Sequence, residues 1–387
     1  MSTRALSSRY AAYYGAVFLT LGVYLPFWPL WLAHRGLGAG EIGLLLALAS
    51  WIKVLSNPAI AQVADRSGRA KAVLVAAAAL TLVAFAGFFA ARGFWPILGV
   101  TLLAAAFFQA LIPLAESQTM AAVARERLDY GRIRLWGSLT FILGTAGAGR
   151  LLTGRDPDLV LVLILAALGL TVAAALALPG RRPQTAPAGR RALTALLRER
   201  RFLLFLGAAS LLQASHAVYY GFSALHWRAA GLSEAAVGWL WAEGVIAEVV
   251  LFAASGPVVA RAGPVGLLLA AGAAGVIRWA VLGATTALPA LLAVQVLHAA
   301  TFGAAHLGAM HFIARAAPPG LSATAQALYS AVSGGLAMGL AMLIAGRLYA
   351  DLGGGAFTAM AALSAAGGLL ALVLARRERR AALRLEN

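Results

Sequence analysis

Predominantly apolar stretches of about twenty residues or more follow one another along almost the whole chain, separated by short polar turns. A transmembrane helix needs about 20 such residues to cross the hydrocarbon core. By that measure there are about twelve spans, near 10–33, 41–64, 72–91, 95–123, 132–152, 157–178, 202–226, 234–259, 264–287, 289–313, 322–347 and 355–375. The fold class is therefore all-α integral membrane. Charged residues are only 12% of the chain, against about a quarter in soluble domains, which excludes a water-soluble fold. The formal charge of +17 sits almost wholly between the apolar runs, where lipid orientation rather than nucleic acid explains it. With no cysteine there is no disulfide, thiol chemistry or thiolate metal site.

Orientation follows from the basic residues outside the spans. One side carries Arg4, Arg9, Arg66, Arg69, Lys71, Arg125, Arg127, Arg132, the arginines between 179 and 201, Arg261, Arg315 and the tail from Arg376 to Arg384. Both termini and the central loop are expected on that cytoplasmic side, and the run that follows Met1 to Arg9 reads as a retained first span. The loop divides the chain into a bundle over 1–180, a basic linker over 181–201 and a bundle over 202–387. Gly36-Leu37, Gly43, Arg66 and Gly68 recur as Gly231-Leu232, Gly238, Arg261 and Gly263, each displaced by 195 residues. That shared offset predicts two pseudo-symmetric six-helix bundles with a site between them near the midplane, the plan of a secondary transporter.

An ionised side chain inside a span costs roughly 2.5–3.5 kcal/mol on insertion scales, so each one marks a functional candidate. Lys53 has no carboxylate at helical spacing in its own span, and requires an acid from another helix or an anionic ligand. Arg278 poses the same choice, with Glu243 or Glu248 as the expected charge partner. Those two glutamates lie five residues apart, about 140° around a helix, so at most one faces a cavity squarely. Glu248 reads either as a proton site or as a permanent ion-pair partner. His298 reads as a proton relay or as a hydrogen-bonded packing residue. Glu116 and Arg134 admit a substrate or proton role and a standing ion pair. No His-Glu-x-x-His pattern occurs, and no metal or cofactor is expected. The aromatic residues Tyr24, Phe27, Phe141 and Tyr219 either surround an apolar substrate or pack helices. Gly144 and Ala148 make a small-residue seam.

Ala61-Gln62-Val63-Ala64-Asp65-Arg66-Ser67-Gly68-Arg69 resembles the major facilitator signature between spans two and three, with alanine at the usual leading glycine. The resemblance makes Asp65, Arg66, Gly68 and Arg69 a gating motif. Gly22 to Leu32, the spacing from Glu116 to Arg134, Arg278 and His298 are similar to the lactose permease and phenylpropionate permease branch of that superfamily. Several positions depart from its sugar-transporting member: Gln295 stands for a lysine, Thr301 for a glutamate, Tyr219 for an aspartate, Phe141 for a tryptophan and Val245 for a glutamate. The phrases Ser215 to Phe222 and Leu297 to Phe302 resemble the phenylpropionate side.

The resemblance implies a monomeric plasma-membrane carrier of the bacterial inner membrane, taking up a small aromatic or apolar carboxylate with protons. Lys53, Glu116 or Arg134 would contact the substrate, and Glu116, Glu248 or His298 would take the proton. Two other readings share the fold: a proton-antiporting exporter of lipophilic compounds, and a sugar or nucleoside symporter. A membrane enzyme would need a catalytic constellation, and neither a nucleotide loop nor a nucleophile elbow occurs in the sequence.

Overall fold

The computed structural model describes residues 2–180, 196–318 and 321–386, and all regular structure within them is helical. Arg181, Arg182, Arg190 and Arg191 of the basic linker lie outside the described residues. The first helices are α1 (Thr3–His34), α2 (Ala39–Ser67), α3 (Ala70–Gly87), α4 (Phe94–Phe108), α5 (Leu111–Glu126), α6 (Tyr130–Leu152) and α7 (Leu159–Ala177). After the linker come α8 (Arg200–Ala214), α9 (Ala217–Ala229), α10 (Glu234–Ala253), α11 (Ser255–Ala284), α12 (Leu288–Gln295) and α13 (Ala305–Ala316). The last are α14 (Ser322–Tyr329), α15 (Met338–Leu352) and α16 (Ala356–Glu386).

Among the described residues ten helical stretches are long and apolar enough to cross a membrane. One of them, 57 residues from Thr324 to Arg380, is well over twice the length a bilayer needs and turns at Gly353–Gly355, so it makes two spans. The helix Tyr130–Leu152 falls outside the ten because Arg132, Arg134 and Arg150 dilute it. Counting both gives the twelve spans.

Several spans are broken, each for a local reason. Pro113 has no N–H for the carbonyl of Gln109, and the fourth span parts between α4 and α5 there. Gly263, at φ 65° and ψ 168°, separates the eighth span from the ninth within α11, just before Pro264. The seventh span parts at Ser215 and His216. The tenth and eleventh are interrupted by π-helical turns at Ala299–Ala304 and Ser330–Ala337. Irregular backbone at membrane depth is confined to places buried in protein or lining a cavity.

The 195-residue repeat has a backbone counterpart. Gly36 and Gly231 both have left-handed backbones, φ 84° and 90°, and the following Leu37 and Leu232 donate five residues back to Leu32 and Trp227. This is the same glycine-terminated helix ending, written twice. Gly68 and Gly263 share a positive φ, 61° and 65°, but differ in ψ, 15° and 168°, so the second pair repeats the glycine without the same turn.

The chain forms two compact units, Met1–Ala186 with Gly221–Ala242, and Pro187–Tyr220 with Glu243–Asn387. The central linker is thus not the only crossing, because residues 221–242 pack with the first unit. They do so on α6, where a Cβ on Gly238 would stand 2.2 Å from the Thr145 carbonyl oxygen and one on Gly149 2.4 Å from that of Glu234. Only glycine lets these two backbones meet. Thr153 Oγ1 accepts the backbone N–H of Ala235 at 3.1 Å at the start of α10. In the same unit Gly22 and Gly144 bring α1 and α6 into backbone contact.

Candidate functional site

In the second unit one buried cation organises its surroundings. Arg278 on α11 has no solvent exposure. Its Nη1 donates to His298 Nδ1 at 3.1 Å and to Thr301 Oγ1 at 2.9 Å, and its Nη2 donates to Gln295 Oε1 at 2.8 Å. The guanidinium also lies over the rings of Tyr219 and Trp279, 4.5 and 4.7 Å from their centroids. From this centre the contacts run outward. His298 Nε2 is 3.6 Å from Glu248 Oε2 on α10. Gln295 Nε2 donates to Tyr219 Oη at 3.0 Å, and Thr301 Oγ1 meets His216 Nε2 at 3.3 Å. His216 Nδ1 lies 3.1 Å from the Leu212 carbonyl.

The breaks in the helices fall at this cluster. His216 stands where the seventh span parts, and His298 directly precedes the π-turn that carries Thr301. Two glycines seat the ring and the acid. A Cβ on Gly244 would lie 3.1 Å from His298 Cβ, and one on Gly303 would lie 2.9 Å from Leu251 and 3.5 Å from Glu248 Cγ. The His298 ring is stacked on Phe302 at 5.4 Å and 6°.

The expected pairing of Arg278 with Glu243 or Glu248 is not what forms. Among the described residues no carboxylate lies within ion-pair distance of Arg278, whose partners are neutral acceptors. Glu248 is reached one residue further out, through His298. Glu243 has a buried Oε2 without a hydrogen-bond partner. Gln295 and Thr301, two of the positions read above as departures from the sugar permease, supply two of the three acceptors.

In the first unit Glu116 accepts a short hydrogen bond from the Tyr130 hydroxyl. Arg134 does not join Glu116 in an ion pair. Its guanidinium lies 4.0 Å from the Phe18 ring centroid and 5.7 Å from that of Tyr14. Lys53 is half-buried on α2, and among the described residues no carboxylate is within ion-pair distance of it. Tyr24 packs edge-on against Phe85 and Phe108 and face-on against Trp28. Phe27 has no exposure and Phe141 only 7%. A cavity of about 570 Å³ lies between α1, α6 and α7, lined by Ser8, Ala12, Gly15, Leu19, Trp136 and Thr140 among others. None of its lining residues is charged, so it is separate from Lys53, Glu116 and Arg134.

At the signature turn Gly68 ends α2 in the left-handed conformation, and Asp65, Arg66 and Arg69 are exposed. His34, Asp156 and Asp158 could offer three ligand atoms within 4.8 Å of one another. However, Asp158 is already engaged by Arg35 at 2.9 Å and by Trp31 Nε1 at 3.0 Å, which makes the group an interhelical tie.

Comparison with known proteins agrees with this architecture. The pattern of the MFS_1 like family matches residues 5–361. The chain belongs to that family. A probable 3-phenylpropionic acid transporter of Escherichia coli K12 is 40% identical over 366 residues, covering 93% of this chain and 94% of the relative. A maltose permease of Geobacillus stearothermophilus is 31% identical, with 95% and 94% covered. The crystal structure of the nucleoside transporter NupG superposes with a TM-score of 0.78 at 17% identity over 96% of this chain and 98% of that one. This MFS_1-like chain is thus a multi-pass membrane transporter of small molecules, and not an enzyme.

Sequence reasoning picked out Arg278, His298, Glu248 and Tyr219 but missed His216, Gly244 and Gly303 as members of the same cluster. For His216 a signal was present, since a histidine inside an apolar span is as unusual as a glutamate. For the glycines there was none, because their role depends on which helix faces them.

Proposed function

We propose that the chain is a proton-coupled uptake carrier for a small aromatic or apolar carboxylate, working by alternating access in a bacterial inner membrane with both termini cytoplasmic. The observation that carries the anion is the state of the cations in the first unit. Lys53 and Arg134 lie in spans, and among the described residues neither has a carboxylate in ion-pair range, while Glu116 is held by Tyr130. Each cation is left without a neutralising acid, and a charge-assisted contact to a carboxylate contributes about 1.5–3 kcal/mol. The relative named as a probable 3-phenylpropionic acid transporter supports a small aromatic acid as the cargo.

The proton is assigned to the second unit, where Glu248, His298 and Arg278 form a connected chain of titratable and charged groups. Taking up one anion with at least one proton leaves the carrier's charge unchanged or more positive, and an electrically balanced interior is the form that crosses between outward and inward states at least cost.

Purified protein in proteoliposomes under an imposed inward proton gradient tests this. Accumulation of 3-phenylpropionate that collapses with an uncoupler is the expected result. Gradient-driven expulsion would select the exporter reading instead, and no movement of any carboxylate would remove the proposal.

A further inference from the structure

The hydrogen bonds around Arg278 have only one consistent direction. A guanidinium offers five N–H donors, no acceptor, and stays protonated in proteins. Every atom that bonds it must therefore present a lone pair. At 3.1 Å from Nη1, His298 Nδ1 must be unprotonated, which places the ring's single proton on Nε2, facing Glu248. A second ring proton on His298 would set N–H against N–H and bring two cations together at a residue that is itself buried.

The other branch runs the same way. Thr301 Oγ1 accepts the Arg278 N–H, and its own hydroxyl can donate to His216 Nε2 at 3.3 Å or to the His298 carbonyl at 3.4 Å, while His216 Nδ1–H donates to the Leu212 carbonyl. His298 is thereby neutral with its proton on Nε2, and His216 carries a proton on Nδ1. Within this chain of contacts His298 cannot gain a proton without reversing a bond from Arg278, and a proton on His216 would make a second buried cation beside it, whereas a proton on Glu248 removes a charge. His298 Nε2 and Glu248 Oε2 stand 3.6 Å apart, in ion-pair range rather than hydrogen-bonded, so a proton on Glu248 leaves the bonds from Arg278 as they are and changes the charge.

The geometry points to Glu248 as the residue that takes up the transported proton, with His298 acting as a neutral positioning residue whose tautomer Arg278 fixes. This rests on the proton-coupled reading above and names its site. The other ionisable groups around it are Tyr219, Tyr220 and His216 on the seventh span, Glu243 on α10, Arg278 on α11, His306 on α13 and Tyr329 on α14. With Glu248 ionised, the sequence Glu248–His298–Arg278 is neutral. With Glu248 protonated, the Arg278 charge is uncompensated, and a substrate anion restores the balance. Proton and carboxylate therefore favour each other's binding, and by linkage the effect is reciprocal.

The test begins without substrate. Full-length protein labelled with 15N-histidine and 13C-glutamate is titrated by NMR from about pH 5 to 8, with signals assigned through His298→Gln and Glu248→Gln. The Glu248 carboxyl is expected to titrate while His298 keeps the neutral Nε2–H pattern throughout. A titrating His298, its Nδ1–H tautomer, or a Glu248 signal that does not move would overturn the assignment.

The second arm measures 3-phenylpropionate binding. Wild-type affinity should weaken by about tenfold per pH unit above the titration of Glu248, Glu248→Gln should bind equally at every pH, and His298→Gln, which keeps one donor and one acceptor, should retain the wild-type pH dependence. Unchanged pH dependence in Glu248→Gln, or its loss in His298→Gln, counts against the assignment. Absence of binding at any pH defeats the carboxylate reading alone, since the NMR arm stands apart from it.

Discussion

Gly244→Ala probes the helix contact on which the whole cluster depends. The added Cβ would lie 3.1, 3.2 and 3.4 Å from His298 Cβ, Cγ and Cδ2. Carbon atoms pack at about 3.5–4.0 Å, so either α10 or the ring must give by about 0.5 Å. The ring has little room, being stacked on Phe302 at 5.4 Å and held by Arg278 at 3.1 Å. Overpacking of this kind costs about 1–3 kcal/mol, against a gain of about 0.8–1.0 kcal/mol from replacing glycine within a helix. The net is a destabilisation of about 0–2 kcal/mol, together with a lengthened His298–Glu248 contact.

Gly169→Ala on α7 is the control, because nothing stands within 4 Å of its added Cβ, and it keeps the helix gain alone. Thermal unfolding in detergent should rank Gly169→Ala above wild type and Gly244→Ala at or below it. Initial rates of 3-phenylpropionate uptake should fall only for Gly244→Ala. If Gly244→Ala matches the control in both assays, the packing argument is wrong.

Other perturbations test separate parts of the account. Arg278→Lys replaces a forked donor bonded to three side chains by a point charge that cannot reach all of them, and should lower the unfolding temperature more than Gly244→Ala while abolishing uptake. Tyr130→Phe removes the hydroxyl that Glu116 accepts, a bond to a charged group worth about 1.5–3 kcal/mol, and should destabilise the protein measurably by the same thermal assay. Gly238→Ala sets a Cβ 2.2 Å from a backbone oxygen of α6, which cannot rotate away. It should cost at least the ordinary overpacking penalty of about 1–3 kcal/mol, and the thiol of Thr153→Cys should label faster as the seam loosens.

Span number, helical class and the internal repeat were legible in the sequence because each follows from run length or from glycine at a fixed offset. Gly36 and Gly231 mark the same left-handed helix ending, and Gly68 and Gly263 share a positive φ that glycine favours. The break at Pro113 was legible in principle, from its missing N–H. The π-turn after His298 and the parting at His216 were not, since nothing local demands them and only packing against α10 and α11 explains their place. The partners of Arg278 were misjudged for a related reason. Charge alone suggested Glu243 or Glu248, whereas in a buried site a guanidinium also takes neutral lone pairs: Gln295, His298 and Thr301 supply them to the two Nη atoms from the tenth span, while Nε has no partner among the described residues.

The central claim is that the carboxylate and the proton enter together, and proton movement measured in the same vesicles as substrate entry tests it most directly. With proteoliposomes containing an internal pH indicator and no imposed gradient, addition of 3-phenylpropionate should acidify the lumen as radiolabelled substrate enters, and Glu248→Gln should uncouple the two. Substrate entry by the wild-type protein without acidification, or with alkalinisation, would contradict the account.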